Sequence, residues 1–241
     1  MPDVTLDSRF MRVILAAAAV PFLLSGCGSR IPTYRYRMTV EVNTPEGVRE
    51  GSTVIEVKTS KGPGFPGPEA AQISTEARGE AVAVDLGKRG FLFAVLNAPF
   101  DHPDAGGFAW ALLPNLPNKG SGIEAIRARY DALKNVRGSV ELQPNSYPLL
   151  VTFGDLRRPD TVAEVDPQNL ESTFGTGVHL QSIRVEITDD APVKKIKDLL
   201  PWWREYLDKH FDGSSTVMEE ASKKDIAAHL SAGSFSSELQ K

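Results

Sequence analysis

Tyr34, Tyr36, Met38, Val40 and Val42 alternate with Arg35, Arg37, Thr39 and Glu41. This period of two is the strongest constraint on the fold, because only an extended strand sends successive side chains to opposite faces. One face must be buried and the other left wet. Thr44-Pro45-Glu46-Gly47 supplies a turn, and the β-branched residues Thr53, Val54, Ile55 and Val57 predict a second strand over 52–59. The two strands together predict an antiparallel hairpin.

Further strands are expected at 79–86 and 91–96, on either side of Gly87-Lys88-Arg89-Gly90, and at 108–113, 139–142, 149–153, 161–165 and 178–188. The stretch 61–68 carries too many glycines and prolines for a helix or a central strand. A helix is predicted from 122 to 136. Ser121 and Glu124 have the spacing of a capping box; Ile123, Ile126, Tyr130, Leu133 and Val136 fall at steps of three and four, and Gly138 supplies a stop. Arg127, Asp131 and Lys134 read as a solvated ladder beside that stripe. Asp166-Pro167 opens a helical turn closed by Gly175.

Beyond 190 the pattern changes. Val193, Ile196, Leu200, Trp203 and Leu207 mark a helical stripe; Pro192 suits a first turn, and Pro201 inside the pattern predicts a kink or two short helices. On that stripe Trp203 is expected to be buried, and Trp202, about 100° around the helix, partly exposed. Trp202, Trp203 and Tyr206 are interleaved with Arg204 and Lys209. They form either the cover of a sheet face or an interfacial or docking surface. After Gly213 the chain is polar and serine-rich, with one helical piece around 218–230.

Roughly nine strands against two or three helices predict an α+β fold, predominantly antiparallel sheet, built as a sandwich or one strongly curved sheet. One central amphipathic helix and one C-terminal aromatic helix complete it. The expected divisions are 1–26, 27–33, a β-rich domain over 34–190, a helix packed on it over 191–212, and a polar tail over 213–241. Hydrophobic residues at 41% and charged residues at 24% are ordinary for a globular chain. A net charge of -4, without a basic domain, argues against nucleic acid as a partner.

Arg9 and Arg12, the apolar run 13–24 and the small pair Ser25-Gly26 lead to Cys27, the only cysteine. A run of about twelve apolar residues is too short for a spanning helix, which needs roughly twenty. It has the layout of a cleaved export signal, and translation from Met11 would give a compact version with Arg12 as its charged end. Leu24-Ser25-Gly26-Cys27 resembles the lipobox of bacterial lipoproteins. The resemblance covers about the first twenty-eight residues and implies that Cys27 carries acyl chains holding the protein to a membrane of the cell envelope, facing the periplasm. Gly28, in place of an acid, favours the outer over the inner membrane by resemblance to enteric lipoproteins. With Cys27 acylated, no thiol is left for a disulfide, a zinc site or a nucleophile.

The strings YRYRMTVEVNTPEGVREGSTVIEV, GEAVAVDLG, PLLVTFGDL and VDPQNLESTFGTGVHLQSIRVEITDD resemble a family of bacterial proteins with no assigned activity. The resemblance spans most of the chain after Cys27 and implies a shared domain. It brings no catalytic residue.

Asp101-His102-Pro103-Asp104 sets a histidine between carboxylates, a pattern that can orient a metal or a general base and that is equally a polar turn. His179 has the parity of Ile183 and Val185, which predicts a buried, structural histidine. His210 and His229 have no partner cluster in sequence. No nucleophile elbow, phosphate loop, zinc pair or calcium loop occurs. No cofactor or metal is expected. The residues point to a non-enzymatic binding or assembly module, anchored through Cys27 and serving an envelope partner. The alternative is a periplasmic enzyme acting on envelope material through carboxylates or the loop from Asp101 to Asp104.

Overall fold

β1 (Tyr34–Thr44) and β2 (Gly47–Lys61) form the expected hairpin, with Tyr36 opposite Ile55 and Val40 opposite Gly51. The computed structural model describes residues 31, 33–61, 73–99, 102–115, 120, 122–215 and 225–237. β9 (His179–Ile187) pairs with the other side of β1, and β3 (Ile73–Arg78) and β6 (Ser139–Glu141) close the edges. This gives a five-stranded antiparallel sheet in the order β3-β2-β1-β9-β6. β4 (Val82–Asp85), β5 (Phe91–Ala94), β7 (Leu150–Phe153) and β8 (Val162–Glu164) form a second antiparallel sheet in that order. The fold is α+β with antiparallel sheet dominant, as the alternation predicts.

The inner faces of both sheets share one core. Tyr36, Met38 and Val40 of β1 meet Val84, Leu92 and Leu150 of the smaller sheet, all buried. The sheets approach closely at Gly51, where an added Cβ would overlap the Ala83 carbonyl. No other residue fits there without moving β4. α1 (Ile123–Leu133) adds Tyr130 and Leu133 to this core. Its cap position is taken by Gly122, and Glu124 binds Arg127 at 3.0 Å instead of closing a capping box. Ser121 lies outside the described residues. Lys134 pairs with Asp131 at 3.0 Å, the surface ladder expected on this helix.

The smaller sheet is buried on both faces. Its outer side presents Phe93, Val151 and Phe153, and these are covered by Leu200, Trp202 and Phe211 together with Leu230 and Phe235. All four residues of β7 are therefore buried, which is why this strand reads as an apolar run without alternation.

Several expectations are corrected. The C-terminal aromatic helix over 191–212 reduces to one turn, α3 (Ile196–Leu199). Leu200 is already extended there, and Pro201 has no N–H with which to continue the ladder. Within the tail over 213–241, the described residues 225–237 are not a polar appendage. Ile226–Ala228 forms a 3-10 turn and α4 (Ala232–Phe235) a helical turn, and Ile226, Leu230 and Phe235 are buried in the second core. Residues 218–224 of the helical piece expected there lie outside the described residues. The strand expected at 108–113 is a 3-10 helix, Phe108–Leu112; a short apolar run does not distinguish the two by period. β3 has no counterpart among the expected strands, because an edge strand that is mostly exposed carries no alternation. The turn closed by Gly175 is α2 (Glu171–Phe174), with Gly175 at φ 92°.

His179 is exposed, not buried. Between Glu41 opposite Ser182 and Val42 opposite Leu180 the register slips, leaving Gln181 as an extra residue in β9. One inserted residue reverses the parity of everything before it. Leu180 turns toward the core, and His179 turns outward to lie 3.4 Å from Glu171.

Candidate functional site

The loop after β5 is held from beneath by tyrosines. The Tyr36 hydroxyl donates to the Ala105 carbonyl at 2.6 Å, and the Tyr34 hydroxyl to the Gly106 carbonyl at 3.4 Å. Tyr130 packs edge-on against Tyr34 with centroids 4.7 Å apart, and its hydroxyl bonds Thr59. Asp104 accepts the Gly106 N–H at 2.8 Å, the usual work of an aspartate in a turn. His102, Asp104, Trp110 and Ser146 line a hollow of about 340 Å³. Asp101 lies outside the described residues. Among the described residues no group of three histidines, cysteines or carboxylates is placed to hold a metal ion.

Burial pushes the hydroxyls of Tyr34 and Tyr36 well above the ordinary tyrosine value. The neutral phenol is thus favoured by folding. Its contribution to stability is complete below pH of about 10, the unfolded value, and is lost as pH rises toward the folded one. A phenolate absorbance titration should show Tyr34 and Tyr36 ionising only as the circular dichroism of the fold collapses. Ionisation of all five tyrosines on an ordinary curve, with the fold intact, would contradict this packing.

Where β1 begins, a polar cleft of about 850 Å³ opens, with Thr33 and Arg35 in its lining. β2 adds Glu56 and Lys58, the segment after α1 adds Lys134 and Arg137, and β9 with the residues after it adds Glu186 and Asp189. Strand register arranges much of this chemistry. Arg35 stands opposite Glu56, and Arg37 opposite Glu186, so the wet face of β1 meets opposite charge on both neighbours. Arg35 donates to Glu56 at 2.8 Å, and Lys58 reaches the other oxygen of that carboxylate at 3.1 Å. Burial alone would raise the Glu56 carboxyl, yet its two cations hold it below the usual range. Arg37 binds Glu186 at 3.0 Å and also Asp190. Further along the same face Arg184 and Ser182 bind the largely buried Glu41 at 2.6 and 2.8 Å.

Arg137 is held differently. One guanidinium nitrogen donates to the carbonyls of Lys134 and Val136, at 2.9 and 2.8 Å. Among the described residues no carboxylate pairs with it. Asp189 accepts from Arg35 through its backbone carbonyl at 3.3 Å, and among the described residues its carboxylate has no cation. No local sequence pattern marks this cleft, because its lining comes from four separate segments. The one visible sign was the charged half of the β1 alternation.

The aromatic surface expected at Trp202, Trp203 and Tyr206 is split by the structure. Trp202 is buried at 6% exposure, its indole N–H bonded to the Leu156 carbonyl at 2.8 Å and its ring 4.8 Å from Phe211. Trp203 is half-buried, with the Arg204 guanidinium 5.2 Å from its ring centroid. The expected order of burial is therefore reversed. The 100° step between neighbours holds only along a continuous helix, and Pro201 ends that helix before either tryptophan. Tyr206 is half-buried, with the Lys209 ammonium 4.4 Å from its ring centroid.

Cys27 lies outside the described residues, and no helix among the described residues is long and apolar enough to cross a membrane. Compared with models of protein families, with curated proteins and with solved structures, the chain matches none.

Proposed function

We propose that this protein is a lipoprotein of the bacterial cell envelope, anchored through acylated Cys27, that holds a β-rich binding or assembly module against the membrane on its periplasmic side. The observation that carries the reading is the position of Thr33. It closes the short segment after Cys27 and also belongs to the lining of the 850 Å³ cleft. Six residues reach at most about 20 Å when fully extended. Thr33 therefore lies no further than that from Cys27 along the chain, and the charged lining of the cleft suits a headgroup region better than an apolar ligand.

Replacing Cys27 with serine tests the anchor. Each acyl methylene contributes about 0.8 kcal/mol of membrane affinity, so two or three chains hold firmly where one is marginal. The wild-type protein should enter the detergent phase on extraction and carry the extra mass of its acyl chains. The Cys27→Ser protein should accumulate as uncleaved precursor or appear in the aqueous phase. Wild-type protein in the aqueous phase, without added mass, would overturn the proposal.

A further inference from the structure

The charges of the cleft at the start of β1 do not cancel. Glu56 is shared by Arg35 and Lys58, and Glu186 is occupied by Arg37. The pair of Lys134 with Asp131 is an exposed contact three residues apart, of a kind that contributes little in water, so Lys134 is free to exchange it for another anion. What is left is a set of cations, Arg137 with Lys134 and the surplus charge of Lys58, and one carboxylate, Asp189. A simple anion would meet Arg137 but be repelled by Asp189. A simple cation would meet the reverse. A ligand that carries both signs satisfies both. The volume, about 850 Å³, lies within the range of small-ligand sites.

We propose that this cleft seats a phosphoethanolamine group, its phosphate on Arg137, Lys134 and Lys58 and its primary ammonium on the Asp189 carboxylate. Arginine supplies a planar fork of donors that matches phosphate oxygens, and the lysines add point charges. Asp189 accepts the ammonium N–H groups, which a trimethylated amine lacks. The choice of ligand rests on the membrane-anchored reading: with Thr33 within reach of the bilayer, the phosphoethanolamine headgroup of a lipid in the anchoring leaflet is the source.

The test uses the full-length mature protein in detergent, titrated calorimetrically with three soluble probes: glycerophosphoethanolamine, glycerophosphocholine and glycerol phosphate. The first should bind at least tenfold more tightly than either of the others, because one lacks N–H donors and the other lacks the cation. Arg137→Glu and Asp189→Lys, both at exposed positions and both checked for native circular dichroism, should each weaken glycerophosphoethanolamine at least tenfold. Equal binding of all three probes, no binding, or wild-type affinity in both variants would overturn the proposal. A second arm repeats the titration in nanodiscs. Phosphatidylethanolamine discs should block the soluble probe and phosphatidylcholine discs should not; equal affinity in the two would overturn the lipid as the source. Failure of the cleft leaves the anchor standing if the wild-type protein still carries acyl mass. Failure of the anchor would appear instead as missing acyl mass, whatever the probes do.

Discussion

Trp202→Ala should lower the unfolding free energy by about 3 to 5 kcal/mol, the range for deleting a large aromatic side chain from a core. Trp203→Ala, one residue on, should cost within about 1 kcal/mol, as for other partly exposed positions. The two residues are adjacent and identical, so only their surroundings differ. Trp202 sits among Phe153, Phe211 and Phe235 with its N–H satisfied by Leu156. Its removal leaves a void and an unpaired carbonyl. Trp203 lies at the edge of the same cluster beneath Arg204. Denaturant midpoints for the two variants, at unchanged slope, check this directly. A larger loss at Trp203 would mean that the helix runs on through Pro201 after all.

The second large effect concerns the end of the chain. Stopping translation before Asp225 should leave a protein that does not fold, although a dispensable tail would be expected to have no effect. Ile226, Leu230, Ala232 and Phe235 are all buried against the outer side of the smaller sheet. Backbone bonds complete the seal: the Ala81 N–H donates to the Phe235 carbonyl at 2.7 Å, and the Leu96 N–H to the Ser234 carbonyl at 2.9 Å. Losing one large core side chain costs about 2 to 5 kcal/mol, and a domain's whole stability is about 5 to 15 kcal/mol. Removing several at once, together with their cover, exceeds that margin. A cooperative thermal transition in the truncated protein would sink this account. A subtler variant, Glu80→Ala, addresses the same layer from the other side, because the buried Glu80 carboxylate accepts the N–H groups of Lys195 and Ile196 and so fixes where the covering segment begins.

How far the sequence could be read depended on where each signal was stored. The hairpin of β1 and β2 and the amphipathic face of α1 were legible because each has water on one side, and a single wet face imposes a period on the residues. The C-terminal cover was not. Its buried residues are spaced along turns and single helical turns, where no period exists, and the serines after Gly213 make the stretch look solvated. Ser231 and Ser234 in fact serve as a capping box for α4. The candidate sites divide in the same way. Asp104 as a turn former was visible in its neighbours, Pro103 and Gly106, whereas the outward turn of His179 depends on one extra residue, Gln181, that only pairing with β1 reveals.

By itself the sequence determined the strands with one wet face, the turn residues between them, the central helix, and the charged residues that must point to water beside Tyr34, Tyr36 and Met38. Local preference and hydrophobic period are properties of neighbouring residues, and neighbours are what a sequence records. Only the tertiary structure decided that the smaller sheet is covered twice, that Trp202 and not Trp203 enters its core, and that Arg35, Lys58, Arg137 and Asp189 share one cleft. Those outcomes follow from long-range pairing and from competition for buried area, which depend on which segments meet in space and so carry no local pattern.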